Sequence, residues 1–136
     1  MECKYFKPSE NYERCGSCNL GGMSYNEQLE YKINNEQIRF KELYSKPFEI
    51  IKSTDGAFRN RVEFRIFHKM GKISYAMNDI NRKLLPIESC SIVSEQISTL
   101  MSKLLDEIQN NNELLRKIFM VEFLGSTLSN NMLVTL

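Results

Sequence analysis

Apolar positions along the chain change period several times, and each change predicts an element. Val62, Phe64 and Ile66 alternate with Arg59, Arg61, Glu63 and Arg65, which predicts a strand over 59–68 with one apolar face and one charged face. Met70-Gly71 follows as a turn signal, and Ile73, Tyr75 and Met77 alternate on the return, so the two segments predict a hairpin. Asn78-Asp79 and Asn81-Arg82 predict a second reversal into a short strand over 84–88. Val93, Ile97, Leu100, Met101, Leu104, Leu105 and Ile108 then recur at helical spacing, predicting a long helix over about 91–109 that Asn110-Asn111-Asn112 ends. Phe119 to Leu124 and Met132 to Leu136 predict two more strands around a Ser/Asn-rich turn.

The N-terminal part is patterned differently. Residues 1–23 are polar, carry Gly and Cys, and have no period, which predicts a cysteine-bearing loop. Ser24-Tyr25-Asn26-Glu27 fits a capping box, with Leu29, Ile33, Phe40 and Leu43 on one helical face and Pro47 as the boundary. Phe48 to Lys52 has the composition of a short strand. The expected architecture is α+β: a mainly antiparallel sheet with two long helices on it over 24–136, preceded by the loop of 1–23.

Composition adds little to this picture. A chain of 136 residues with 42% hydrophobic and 26% charged residues is one ordinary globular domain. Lys+Arg number 18 against 17 Asp+Glu, so net charge announces no nucleic-acid partner. No apolar run approaches the roughly 18 residues of a membrane span, and the N-terminus lacks an apolar signal-peptide core. The default expectation is a cytoplasmic monomer without membrane or DNA contacts.

The four cysteines change the picture more. Cys15 and Cys18 form a C-x-x-C pair, Cys3 lies upstream, and Cys90 sits in a loop before the long helix. In a reducing compartment such a group points to metal ligation before disulfides. Four thiolates suit tetrahedral zinc or an iron–sulfur cluster, and spacing does not choose between them. Free N–H groups at the start of the following helix would help hold charge on Cys90. Packing of Cys90 as a small hydrophobe is the alternative.

Cys15-Gly16-Ser17-Cys18 followed by Tyr25, Gln28, Leu29 and Lys32 resembles the signature of RNA 5-methyluridine methyltransferases. Phe58 to His68, Ile87-Glu88-Ser89, Arg116 to Phe123 and Thr127 to Asn130 continue the resemblance toward the tRNA (uracil-5-)-methyltransferase branch. The resemblance implies that Cys3, Cys15, Cys18 and Cys90 hold a [4Fe–4S] cluster. It also implies that the tRNA T-arm is the partner and S-adenosylmethionine the methyl donor of the full enzyme. The methyl-donor fold, the nucleophilic Cys and the general-base Glu lie downstream in that family. The chain stops in an apolar strand pattern, so a fragment truncated before the S-adenosylmethionine-binding domain is expected, with no catalytic residue of its own and no activity alone.

Arg59, Arg61 and Arg65 on one strand face, near Lys52, Lys69 and Lys72, make a local basic patch suited to phosphates. A solvated strand face is the plainer reading, and the resemblance favours the RNA one. Phe119, after Arg116 and Lys117, has the setting of a base-stacking aromatic, and the resemblance places an RNA-binding ring there. His68, the sole histidine, is read as a surface residue. The alternatives are a free-standing metal-stabilised RNA-binding module and a piece of a ribosomal-RNA uracil-5-methyltransferase.

Overall fold

The computed structural model describes residues 3–136, so residues 1 and 2 of the expected N-terminal loop lie outside the described residues. Five strands form one antiparallel sheet in the order β3-β2-β1-β4-β5. They are β1 (Arg61–Lys69), β2 (Lys72–Asn78), β3 (Leu84–Ile87), β4 (Met120–Gly125) and β5 (Met132–Thr135). Among the described residues, three α-helices accompany them, α1 (Tyr25–Arg39), α2 (Glu95–Asn110) and α3 (Asn112–Lys117), with a single 3-10 turn at Lys4–Phe6. The α+β expectation is met.

The pleat decides which side chains build the core. Val62, Phe64 and Ile66 of β1 face the same side as Ile73 and Tyr75 of β2, Leu85 and Ile87 of β3, and Val121 and Phe123 of β4, and all are buried. Ile97, Met101 and Ile108 of α2 close over them. Phe64, Tyr75 and Phe123 meet with ring centroids 5.4 to 6.2 Å apart, in the tilted and edge-to-face arrangements aromatic quadrupoles favour. The Tyr75 hydroxyl, buried with its ring, donates to the Met101 carbonyl at 2.9 Å.

The turns follow from local chemistry. Met70 (φ 50°) and Gly71 (φ 75°) both take positive φ between the closing pair Lys69 and Lys72, the two-residue geometry whose twist suits a hairpin. Ser94 caps α2 through the Ile97 N–H. Asn111 both follows α2 and caps α3, accepting from the N–H groups of Glu113 and Leu114. The asparagine run therefore starts a second helix as well as ending the first. The long helix begins at Glu95 instead of Ser91, because the 91–94 segment turns to pair Val93 with Arg59.

Two expectations about the N-terminal part are corrected. The first helix ends at Arg39, well before Pro47, and Phe40 and Leu43 lie beyond it. None of its residues is buried, so of the two long helices only α2 contributes to the core. Residues 48–52 form no strand, having no pairing partner among the described residues; Phe48 instead stacks on Tyr44 at 5.3 Å and meets Phe40 edge-on. The capping box is present as expected, with Ser24 and Glu27 each bonding the other's backbone.

Candidate nucleic-acid interface and thiol cavity

The sheet face opposite α2 carries Arg61, Glu63, Arg65 and Phe67 on β1, with Met120, Glu122 and Leu124 beside them on β4. Of the basic residues here, Arg61 is committed: its Nε donates to a Glu122 carboxylate oxygen at 2.6 Å. Arg65 is exposed, stands opposite Ala76 on one side and Met120 on the other, and has no ion pair among the described residues. It therefore offers its guanidinium to solvent or to a ligand.

Arg59 does not join this face. At that residue the chain has left its pairing with β4 and forms a parallel bridge to Val93, with its N–H on the Ile92 carbonyl and its carbonyl accepting from Ser94. The Arg59 side chain borders the thiol cavity instead, where its charge acts on Cys18. The expected row of three arginines is thus divided into one free, one paired and one facing sulfur. Phe119 is also separate. Its carbonyl accepts from the Ile66 N–H, and its ring lies 6.2 Å from that of His68. Strand alternation puts it with Ile66 and Val121 on the helix-bearing side, where it is 71% exposed at the sheet's end. His68 has its own role there, its Nε2 at 2.9 Å from the Ile118 carbonyl.

Cys3, Cys15, Cys18 and Cys90 all border one enclosed cavity of about 30 Å³, together with Val62 and Ile87. All four are free, half-buried thiols. Desolvation pushes the Cys18 thiol above its ordinary pKa, and the charges of Cys15, Cys90 and Cys3 push the same way against Arg59. Burial also raises Cys90, opposed by hydrogen bonds from the Ile92 and Val93 N–H groups. The donors that favour charge on Cys90 therefore belong to the turn before α2, not to the helix itself. The donor set suits a thiolate-bound group. Among the described residues, however, no three His, Cys, Asp or Glu side chains are placed to hold a single metal ion.

The loop that carries the thiols is fastened by polar contacts. Asp79, buried at the end of β2, accepts from the N–H groups of Glu13, Asn81 and Lys83 at 2.8 to 3.2 Å. Cys15 bridges to Asp79, and the Gly16 N–H donates to the Asn78 carbonyl. Gly21 and Gly22 lie against the Phe6 ring so closely that a Cβ at Gly21 would sit 2.6 Å from a ring carbon, and Arg14 covers the same ring. Sequence reasoning missed Asp79, since an Asn-Asp pair between strands resembles any turn.

Residues 24–136 match the family model for tRNA (Uracil-5-)-methyltransferase, and the chain belongs to that family. The match begins at the α1 cap and leaves the thiol loop outside. The tRNA/tmRNA (uracil-C(5))-methyltransferase of Aliarcobacter butzleri (strain RM4018) is 48% identical over 141 residues, covering all of this chain and 36% of the relative. The enzyme of the same name from Campylobacter curvus (strain 525.92) is 38% identical over 127 residues, covering 93% of this chain and 33% of the relative. That from Sulfurovum sp. (strain NBC37-1) is 37% identical, covering 100% and 35%. The chain spans about a third of the length of these curated relatives. Among the described residues, no helix is long and apolar enough to cross a membrane.

Proposed function

We propose that this chain is the N-terminal RNA-docking part of an S-adenosylmethionine-dependent methyltransferase that forms 5-methyluridine in the T-loop of tRNA, in the cytoplasm and as a monomer. The observation that carries this reading is Arg65, free on the open sheet face of a chain from a uracil-5 methyltransferase family. Arg65 contacts T-arm phosphate, with Arg61 released from Glu122 as a second donor; Arg59, which borders the thiol cavity, takes no part. Phe119, exposed at the sheet's end, meets an unpaired base from the other side. The chemistry belongs to residues outside this chain: a Cys adds to the uracil ring, the neighbouring carbon takes the methyl group from the sulfonium of the donor, a Glu removes the proton from that carbon, and the Cys is expelled as the ring double bond re-forms. By itself the chain binds and does not turn over.

Cys3, Cys15, Cys18 and Cys90 are the ligand set of this proposal for a [4Fe–4S] cluster. Support comes from their common cavity. Four thiolates suit either such a cluster or zinc, and the family resemblance of the Cys15–Cys18 stretch favours the cluster. When bound, the group would pin residues 3–18 against the turn before α2.

The test of docking is fluorescence anisotropy of the 136-residue chain with a T-arm hairpin RNA. Arg65→Ala is expected to weaken binding about 5- to 10-fold and to reduce the salt slope by about one. Unchanged affinity and slope overturn the reading. For the thiols, anaerobic reconstitution with iron and sulfide is expected to give a brown protein with visible absorption; a colourless protein holding one zinc contradicts the cluster.

A further inference from the structure

A groove of about 540 Å³ runs along β2 on the sheet face that bears Arg65, assembled from three separate segments. The hairpin supplies Phe67, Lys69 and Lys72, the β2–β3 turn and β3 supply Lys83 and Pro86, and the thiol loop supplies Tyr12. Among the described residues lining it, none is acidic. Lys69 and Lys72 are exposed and have no ion pair among the described residues. Lys83 has a positioning role: its Nζ donates to the Asn11 carbonyl at 2.7 Å and lies 4.9 Å from the centroid of the Tyr12 ring. That cation holds the loop, and with it the ring, at the groove's edge. Phe67 follows Arg65 on the same face of β1, so the free guanidinium leads directly into the groove.

We infer that this groove is a second RNA-contact site that takes an unpaired stretch of nucleotides, with phosphates on Lys69 and Lys72 and a base against Tyr12 or Phe67. The inference rests on the RNA-docking reading above and deepens it. A cation-lined track without carboxylates selects a polyanion, and aromatic rings beside the track select bases that are not already stacked in a duplex. Nothing in the sequence announces the site, because Tyr12, Phe67 and Lys83 are far apart in the chain and weak signals individually.

Anisotropy with the 136-residue chain tests it, using three probes: oligouridylate, the T-arm hairpin and a loopless RNA duplex of equal length. Lys69→Ala combined with Lys72→Ala is expected to weaken all three probes and to lower the single-strand salt slope by about 1.4, two phosphates' worth. Tyr12→Ala and Phe67→Ala are expected to weaken oligouridylate and the hairpin about 5- to 100-fold, to spare the duplex, and to leave the salt slope unchanged. Tyr12→Phe, which keeps the ring, should bind as the parent does. Should Arg65→Ala weaken binding while the lysine pair and both aromatics do not, the groove is unused and the docking reading stands. A parent chain that binds none of the three probes overturns both. Circular dichroism of each variant separates lost contacts from lost fold.

Discussion

The stretch from Cys3 to Phe58 and the stretch from Arg59 to Leu136 are held together by different physics. All buried residues among those described lie in the second stretch, between Val62 and Phe123. The first has none; Tyr5, Tyr12 and Cys15 pack half-buried against the edge of that core, and directed polar contacts fix the rest of its place. Asp79 grips the Glu13 N–H, the Tyr5 hydroxyl accepts from the Glu88 N–H at 2.7 Å, Lys4 pairs with Glu88, and the Tyr25 hydroxyl accepts from the Ser53 N–H. Hydrophobic burial is strong and undirected, whereas such polar contacts are individually weak, weakest where both partners are exposed, and hold only when the geometry is met. The sheet is therefore a scaffold, and the N-terminal stretch is an attachment that the scaffold positions. Two of the proposed binding features, the thiol cavity and the lysine groove, lie at the seam between them.

Substitutions on the two sides of the seam should behave differently. Phe64→Ala removes a fully buried ring from the aromatic cluster and should cost about 3–5 kcal/mol of unfolding free energy in urea titrations. A loss below 1 kcal/mol would show that the sheet core is not the scaffold. Asp79→Ala leaves three backbone N–H groups without their acceptor and should cost about 1–3 kcal/mol. Its signature should be local: faster hydrogen exchange at Cys15 and Gly16, with protection at Phe64 and Val121 retained. Ser24→Ala removes the α1 cap and should cost that helix about 1 kcal/mol. Because α1 buries nothing, the global melting temperature should barely move while α1 amides lose protection.

The same cap gives a pH test. The Ser24 hydroxyl and N–H hold Glu27 below the ordinary carboxylate value of 4.5. A depressed folded pKa means the contribution is full above that ordinary value and is lost as pH falls through the lowered one. α1 should therefore fray on acidification below about pH 4.5 in the parent, and Ser24→Ala should already be frayed at neutral pH. Equal acid response in both proteins would show that the capping box does not operate.

What the sequence revealed divides along the same line. The alternation at Val62-Phe64-Ile66 and Ile73-Tyr75, and the stripe Ile97-Met101-Ile108, were legible because burial forces one side chain pattern per element. α1 was over-read for the converse reason. Leu29, Ile33, Phe40 and Leu43 have helical spacing, but spacing does not say whether anything covers the face, and Leu43 is 85% exposed. α3 was within reach, since Asn111, Glu113 and the terminal Arg116-Lys117 are ordinary start and stop signals. The fate of the arginines was not. A strand pattern gives Arg59, Arg61 and Arg65 one face, and only the tertiary bridge to Val93 and the carboxylate of Glu122 separate them. That the four cysteines border one cavity agrees with their number and loop setting in the sequence.

The central claim is that the open sheet face, led by Arg65, is where this chain meets RNA. Backbone amide NMR of the 136-residue chain titrated with the T-arm hairpin tests it residue by residue. The account predicts shifts at Arg65, Phe67, Lys69 and Lys72, with Ile97 and Met101 on the covered side unmoved. Shifts confined to α1 and α2, with the β1–β2 hairpin silent, would contradict it.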